Sequence, residues 1–337
     1  MYKVLFSLLL LLITTPALAT TLYHDITYPA SCSAPSDTDY DPVTELCGSG
    51  SATIYNTHAG AIAAMVTGDT LYFRSGTYTT RITFTGKTFT SATTIGAYPG
   101  DSVTYAPSFS VGTPAITIVS WLVVQDLTFS GANAPTTPND NSIKGIYISG
   151  PDNWTFQRNT ITGFHYNGIY FEGSDNVTIQ DNLIHDQLST CESGTRWYGI
   201  YQHDGSNALI RRNQIYNNPG GGMQLYPGPI TNTTIRRNKI YNNSSCTTTN
   251  VGGIIVFEQS STISGVSIYD NEIYGNRPGD GTPDGIALSG TSNNGPSGTL
   301  IYNNTIYDNR DDGVEIQTSG TTNTDINYQA FSLAVDN

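Results

Sequence analysis

The sequence is poor in charge, and poorer still in positive charge. Only 12% of its 337 residues are charged, and 14 basic residues face 27 acidic ones, for a formal charge of −13. So acidic a chain, with so few cations, excludes nucleic acid and anionic membranes as partners, because both demand clustered Lys and Arg. Long apolar runs are missing beyond the first nineteen residues, so no membrane span is expected. The 3.6-residue period of a long amphipathic helix is missing too, since every apolar run is short and alternates. Cysteine is limited to four residues, none with zinc-ligand spacing, and no metal centre is expected from them.

What is present begins with an export signature. Lys3 supplies the charge, Leu5 to Ile13 the apolar core and Ala17-Leu18-Ala19 the small-residue cleavage pattern, so residues 1–19 read as a signal peptide. The expected location is therefore secreted, periplasmic or cell-surface. In such a compartment an even number of cysteines suggests disulfides. Cys32 and Cys47 are close enough in sequence to staple an N-terminal extension over 20–50, and Cys191 and Cys246 lie in two long inserts flanking one repeat. Free or intermolecular cysteines are the alternative. Within the extension, Asp37, Asp39, Asp41 and Glu45 have a spacing near that of a calcium loop, although Pro42 stands where such a loop needs Gly. Calcium is the one cofactor left open, and a solvated turn is the alternative.

From residue 145 a single unit recurs: a Gly, a short strand, then an Asn-marked turn. The strand-opening glycines are Gly145, Gly168, Gly199, Gly222, Gly253, Gly285 and Gly313, at spacings of 23, 31, 23, 31, 32 and 28 residues. A period near 23 with insertions at one point of the unit is one coil of a solenoid. Asn159, Asn182, Asn213, Asn238, Asn271 and Asn304 share one position of the unit, and an Ile follows each two residues later. Stacked at the strand spacing, they predict an Asn ladder at a corner and an Ile ladder in the core. The fold expected is all-β, a single right-handed parallel β-helix over 51–320, with a cap or tail over 321–337. One short helix, within Asn56 to Val66 and capped by Asn56 or Thr57, is expected to close the open N-terminal end.

The coils, together with GDTLYFRSGTY, TTIGAYPGDSV and WLVVQDLTFSG in the irregular opening turns, resemble the right-handed parallel β-helix repeat family. That group includes pectate lyases, chondroitinase- and alginate-lyase-like enzymes and mannuronan C5-epimerases. The resemblance covers roughly 52–317 and implies a polysaccharide as partner. WYGIYQHD, Trp197 to Asp204, is similar to the YG-x-D-P-H-[DE] strand of the epimerases, which implies His203 and Tyr198 as the catalytic pair. Tyr201 and Gln202 stand where the family has Asp-Pro. The pectate lyase Arg-x-Pro-x-x-Arg and the polygalacturonase Gly-His-Gly and Arg-Ile-Lys are absent.

Strand alternation independently places the second residue of each Gly-led strand inward and the third outward. The middle of the outward face then gathers Tyr170, Glu172, Tyr201, His203, Gln224, Tyr226 and Phe257, walled by Arg196, Trp197 and Tyr198. Exposed rings with interspersed polar groups suit a sugar chain, although outward tyrosines also pack across strands with no ligand at all. Lysis or epimerisation of a uronate needs a base for the C5 proton, a neutraliser for the carboxylate and a proton donor. His203 and Tyr198 are the acid/base candidates, Arg196 the neutraliser, and Glu172 a further site residue. Tyr170, Tyr201, Gln224, Tyr226, Trp197 and Phe257 are the candidate substrate contacts. Two other readings remain: a non-catalytic glycan-binding or adhesion solenoid, and a glycoside hydrolase using Glu172 and Asp204. A monomer is expected.

Overall fold

The computed structural model describes residues 19–107, 115–133, 145–188, 197–246, 252–259, 261–276, 283–291, 295–317, 325–327 and 330–332. The chain winds as a parallel β-helix whose walls are three long sheets of 14, 10 and 7 strands, with a 3-stranded strip beside them. The opening coils build only the first two walls, and from Ile146 onward each coil also adds a strand to the third. Thr155–Gln157, Thr160–Thr162 and Ile169–Glu172 make one such coil, and Thr178–Gln180, Leu183–His185 and Tyr198–Gln202 the next, in register.

The predicted ladders form. Ile161, Ile184, Ile215, Ile240, Ile273 and Ile306 are all buried in one continuous core, each burial being worth about 1.5–3 kcal/mol. Between the first two walls, the Asn182 side-chain oxygen accepts from the Asn159 backbone N at 2.9 Å, while its amide donates to the Phe156 carbonyl at 3.0 Å. The same exchange repeats from Asn213 to Asn304, and it satisfies backbone groups that a sharp corner strands away from water. A second, unexpected ladder runs at the next corner through Asn218, Asn243, Asn276 and Asn309, with Gln187 in the same place one coil earlier.

That second ladder explains the glycines. A Cβ on Gly199 would lie 2.5 Å from Ile215 Cγ2, 2.9 Å from the Gly222 carbonyl oxygen and 3.0 Å from the Asn218 amide. The strand opens on Gly because the core Ile and the corner amide of the same coil already occupy the space.

At the N-terminal end, α1 (His58–Ala64) is capped by Thr57, whose hydroxyl accepts from Gly60 N at 3.1 Å, and it buries Ala61 and Ile62 over the first coils. It is the one helix among the described residues, and no helix there is long and apolar enough to cross a membrane. The disulfide Cys32–Cys47 closes within the extension. Two boundaries differ from expectation. Thr21–His24, expected within the N-terminal extension over 20–50, is a rung of the first wall, wedged between Ala52–Tyr55 and Thr70–Phe73. At the other end, the backbones of Asp325–Asn327 and Ala330–Ser332 add strands to the first and second walls beyond residue 320. The acidic residues 37–45 form a hairpin edge and turn: Asp41 accepts from Val43 N and Thr44, and Glu45 pairs with Arg74.

Candidate functional site

The third wall consists of Ile146–Ser149, Ile169–Glu172, Tyr198–Gln202, Gly221–Leu225, Gly252–Glu258, Asp284–Gly290 and Val314–Ile316. As the alternation requires, Ile146, Ile169, Ile200, Met223, Ile254 and Ile286 point inward and are buried in the core. Outward, the ring of Tyr170 stacks on that of Tyr201 at 4.9 Å and an interplanar angle of 5°. Tyr226 stacks on Phe257 at 5.2 Å, and Tyr201 meets Tyr226 edge-on at 6.5 Å. These four rings cover four consecutive coils as one surface.

Glu172 is the electrostatic centre of this group. The Tyr147 hydroxyl donates to one of its oxygens and the Tyr170 hydroxyl to the other at 3.0 Å. Burial alone would raise its pKa. The two phenols, Ser149 and the nearby His203 outweigh that and hold it below the usual carboxylate range, so Glu172 is ionised at neutral pH and ill suited to donate a proton. Its partners respond in the opposite sense, since burial and the Glu172 charge push the phenols of Tyr170 and Tyr147 up. His203 lies on the next coil, 6.2 Å from the Tyr170 ring, with Nδ1 3.7 Å from an Asp204 oxygen. The other Asp204 oxygen accepts from Gly173 N.

Other expected positions fall elsewhere. Trp197 does not wall the strip as an exposed ring: it is 2% exposed, and its indole N–H donates to the His165 carbonyl at 2.6 Å. Tyr198 is wholly buried, its ring lying over Gly221, where a Cβ would come within 2.9 Å of it. The outward column is also covered in its second half, with Gln224, Ile255 and Ala287 all buried. Gln224 stands out there because neither its amide nitrogen nor its oxygen has a hydrogen-bond partner, a condition that costs about 1–3 kcal/mol unless something fills it. Arg196 and Cys191 lie outside the described residues. Cys246 is buried and disulfide-bonded.

One group escaped the sequence reading. Asp284 precedes the strand-opening Gly285 and is 2% exposed. Burial, then the Glu315 carboxyl hydrogen-bonded to it, push its pKa up to about 8. The signal was its place in the column of residues before each glycine, where Tyr198, Gly221, Gly252 and Asp284 stack in turn. It stands three rungs from Tyr198, about 14 Å away.

Fold and face together define a class of solenoid: a parallel β-helix with one wall varied coil by coil. The profile described as "Right handed beta helix region" matches residues 144–195 and 187–332, more than half of the chain, and the chain belongs to that family. No curated protein matches the sequence. Among solved structures the chain is similar to the pectate lyase Pel9A, with a TM-score of 0.58 and 12% identity over 90% of this chain and 78% of that one. It is also similar to XylC, solved with xylose, with a TM-score of 0.51 and 12% identity over 90% and 70%. A third is an alginate lyase from Paenibacillus, with a TM-score of 0.50 and 15% identity over 81% and 93%. At these identities the likeness establishes the fold.

Proposed function

We propose that the protein is exported and acts on a polysaccharide laid along its third wall, by lyase- or epimerase-type chemistry on a uronate-containing chain. The observation that carries this reading is the continuous ring surface Tyr170–Tyr201–Tyr226–Phe257 with an ionised carboxylate and a histidine on its flank. Rings offer faces for sugar C–H groups, and Glu172 keeps acceptor positions for sugar hydroxyls. His203 is the base: Asp204 lies on the Nδ1 side, so Nε2 is the nitrogen left for the C5 proton, and Glu172 stabilises the imidazolium that results. Tyr198, wholly buried, is a positioning residue for Tyr201, whose ring lies 5.9 Å away. Arg196 retains the role of carboxylate neutraliser.

A second reading, a solenoid that binds glycan without turning it over, is favoured by one specific observation. No Lys or Arg stands on any strand of the third wall. A hydrolase is disfavoured, because the lowered pKa of Glu172 removes it as general acid and leaves it only the nucleophile's part. The deciding experiment incubates the protein with alginate, pectate, chondroitin and neutral glycans, with and without calcium. It follows the ultraviolet absorbance of the unsaturated sugar that β-elimination leaves, and epimer content by NMR. Product on one polymer that vanishes in His203→Ala supports the enzyme. Retention of a polymer on the immobilised protein, with no product and no new reducing ends, supports the binding solenoid.

A further inference from the structure

Far from the third wall, at the N-terminal cap, two histidines meet in a cleft of about 400 Å³ lined by His24, Asn56, Thr57, His58, Tyr78 and Thr80 among others. His24 ends the wedged strand Thr21–His24, and His58 is the first residue of α1. Each ring has one nitrogen assigned by the backbone. His24 Nδ1 lies 2.9 Å from the Tyr55 carbonyl oxygen, and His58 Nε2 lies 3.1 Å from the Arg81 carbonyl oxygen. A carbonyl only accepts, so both of those nitrogens must carry the proton. His24 Nε2 and His58 Nδ1 are therefore the unprotonated nitrogens, and among the described residues neither has a hydrogen-bond partner.

We propose that this pair is a binding site for a borderline divalent transition metal, with Cu²⁺ the tightest binder and Zn²⁺ a weaker one. Three features support it. Metal-bound imidazoles characteristically donate their second N–H to a carbonyl or carboxylate, which sets the tautomer and the ring plane, and both rings are held in that way. The ring centroids are 5.3 Å apart with planes at 73°. Two imidazoles bound at about 2.0–2.1 Å, at a tetrahedral angle, would place their centroids about 5 Å apart. The cleft also leaves room for water or the hydroxyls of Thr57 and Thr80 to complete the shell. Two neutral nitrogens favour Cu²⁺ over Zn²⁺ by the usual order of stability. The bound ion would tie the first rung to the capping helix, so binding should stabilise the closed end.

The test is titration of the full chain with CuCl₂, followed by calorimetry and electron paramagnetic resonance. The expected result is one tight equivalent whose spectrum shows coupling to two imidazole nitrogens, together with a rise in Tm of about 4 °C at hundredfold excess over Kd. His58→Gln should leave a single coupled nitrogen and weaken binding at least tenfold. Because that variant removes a buried ring, His185→Asn on the second wall serves as the folded control and should bind as the wild type does. The proposal is overturned by the absence of a tight equivalent in the wild type. It is equally overturned by a copper spectrum that His58→Gln leaves intact, or by one that His185→Asn removes.

Discussion

Two walls of this helix carry outward aromatic columns, and they are built on opposite plans. On the second wall His185, Tyr216, Tyr241, Tyr274 and Tyr307 repeat almost one residue type, stacked at 4.8–5.1 Å with planes within 12°. On the third wall the corresponding column reads Tyr147, Tyr170, Tyr201, Gln224, Ile255, Ala287, Glu315. A column that only covers its neighbours gains most from repeating one shape at every rung. The third wall gives up that gain coil by coil, and it is there that a carboxylate is clasped by two phenols and an amide is left unsatisfied. Aromatic content therefore does not distinguish the two walls; broken repetition does.

The contrast can be broken by substitution. The largest effect is expected for His203→Ala, which should lower product formation by about 10²–10⁴-fold while leaving Tm within a degree or two, measured by scanning calorimetry on the same preparation. Next comes Asn213→Ala, which removes one step of the corner ladder and strands the Asn182 N–H; a loss of about 2 kcal/mol is expected in denaturant unfolding, with glycan binding unchanged in the cold. Gln224→Met tests the unpaired amide: replacing it by an apolar chain of similar size should raise stability by about 1 kcal/mol in denaturant unfolding. Tyr241→Leu on the second wall should cost about 0.5–1.5 kcal/mol and nothing in binding.

A further effect concerns pH. Asp284 keeps its proton to about 8 in the folded chain, whereas an unfolded Asp loses it near about 4. Between those values the native state holds more protons than the unfolded one, so stability should fall as pH rises and level off above about 8. Asp284→Asn should flatten that slope in a Tm series across the range.

Much of this architecture was legible because repetition multiplies a weak signal. One Gly-led strand means little, but seven of them, each followed by an Asn-marked turn, specify which residues stack and therefore which are inside. The reason for the glycines was not legible, since it depends on a corner amide further along the chain, nineteen residues on for Asn218 from Gly199 and twenty-four for Asn309 from Gly285, and on the carbonyl of the next coil. The site was read less well than the fold. Alternation correctly put Glu172 and His203 on the outer face, but it does not say what covers a face. Trp197, Tyr198 and Gln224 are buried there, and the period does not encode that burial. The clasp on Glu172 joins adjacent rungs, so its second phenol, Tyr147, belongs to a coil that carried no motif.

The wedged first strand has a mechanical consequence. Thr21–His24 is gripped on both edges, by Ala52–Tyr55 and by Thr70–Phe73, and the Cys32–Cys47 bond fastens the stretch that follows. At the far end, among the described residues, Asp325–Asn327 and Ala330–Ser332 each have a single neighbour. A pull on the C-terminus therefore peels rungs off one at a time, like a zip. A pull on the N-terminus must shear two ladders at once before anything moves. The molecule is a ratchet under tension, firm when held from its capped end and yielding from the other.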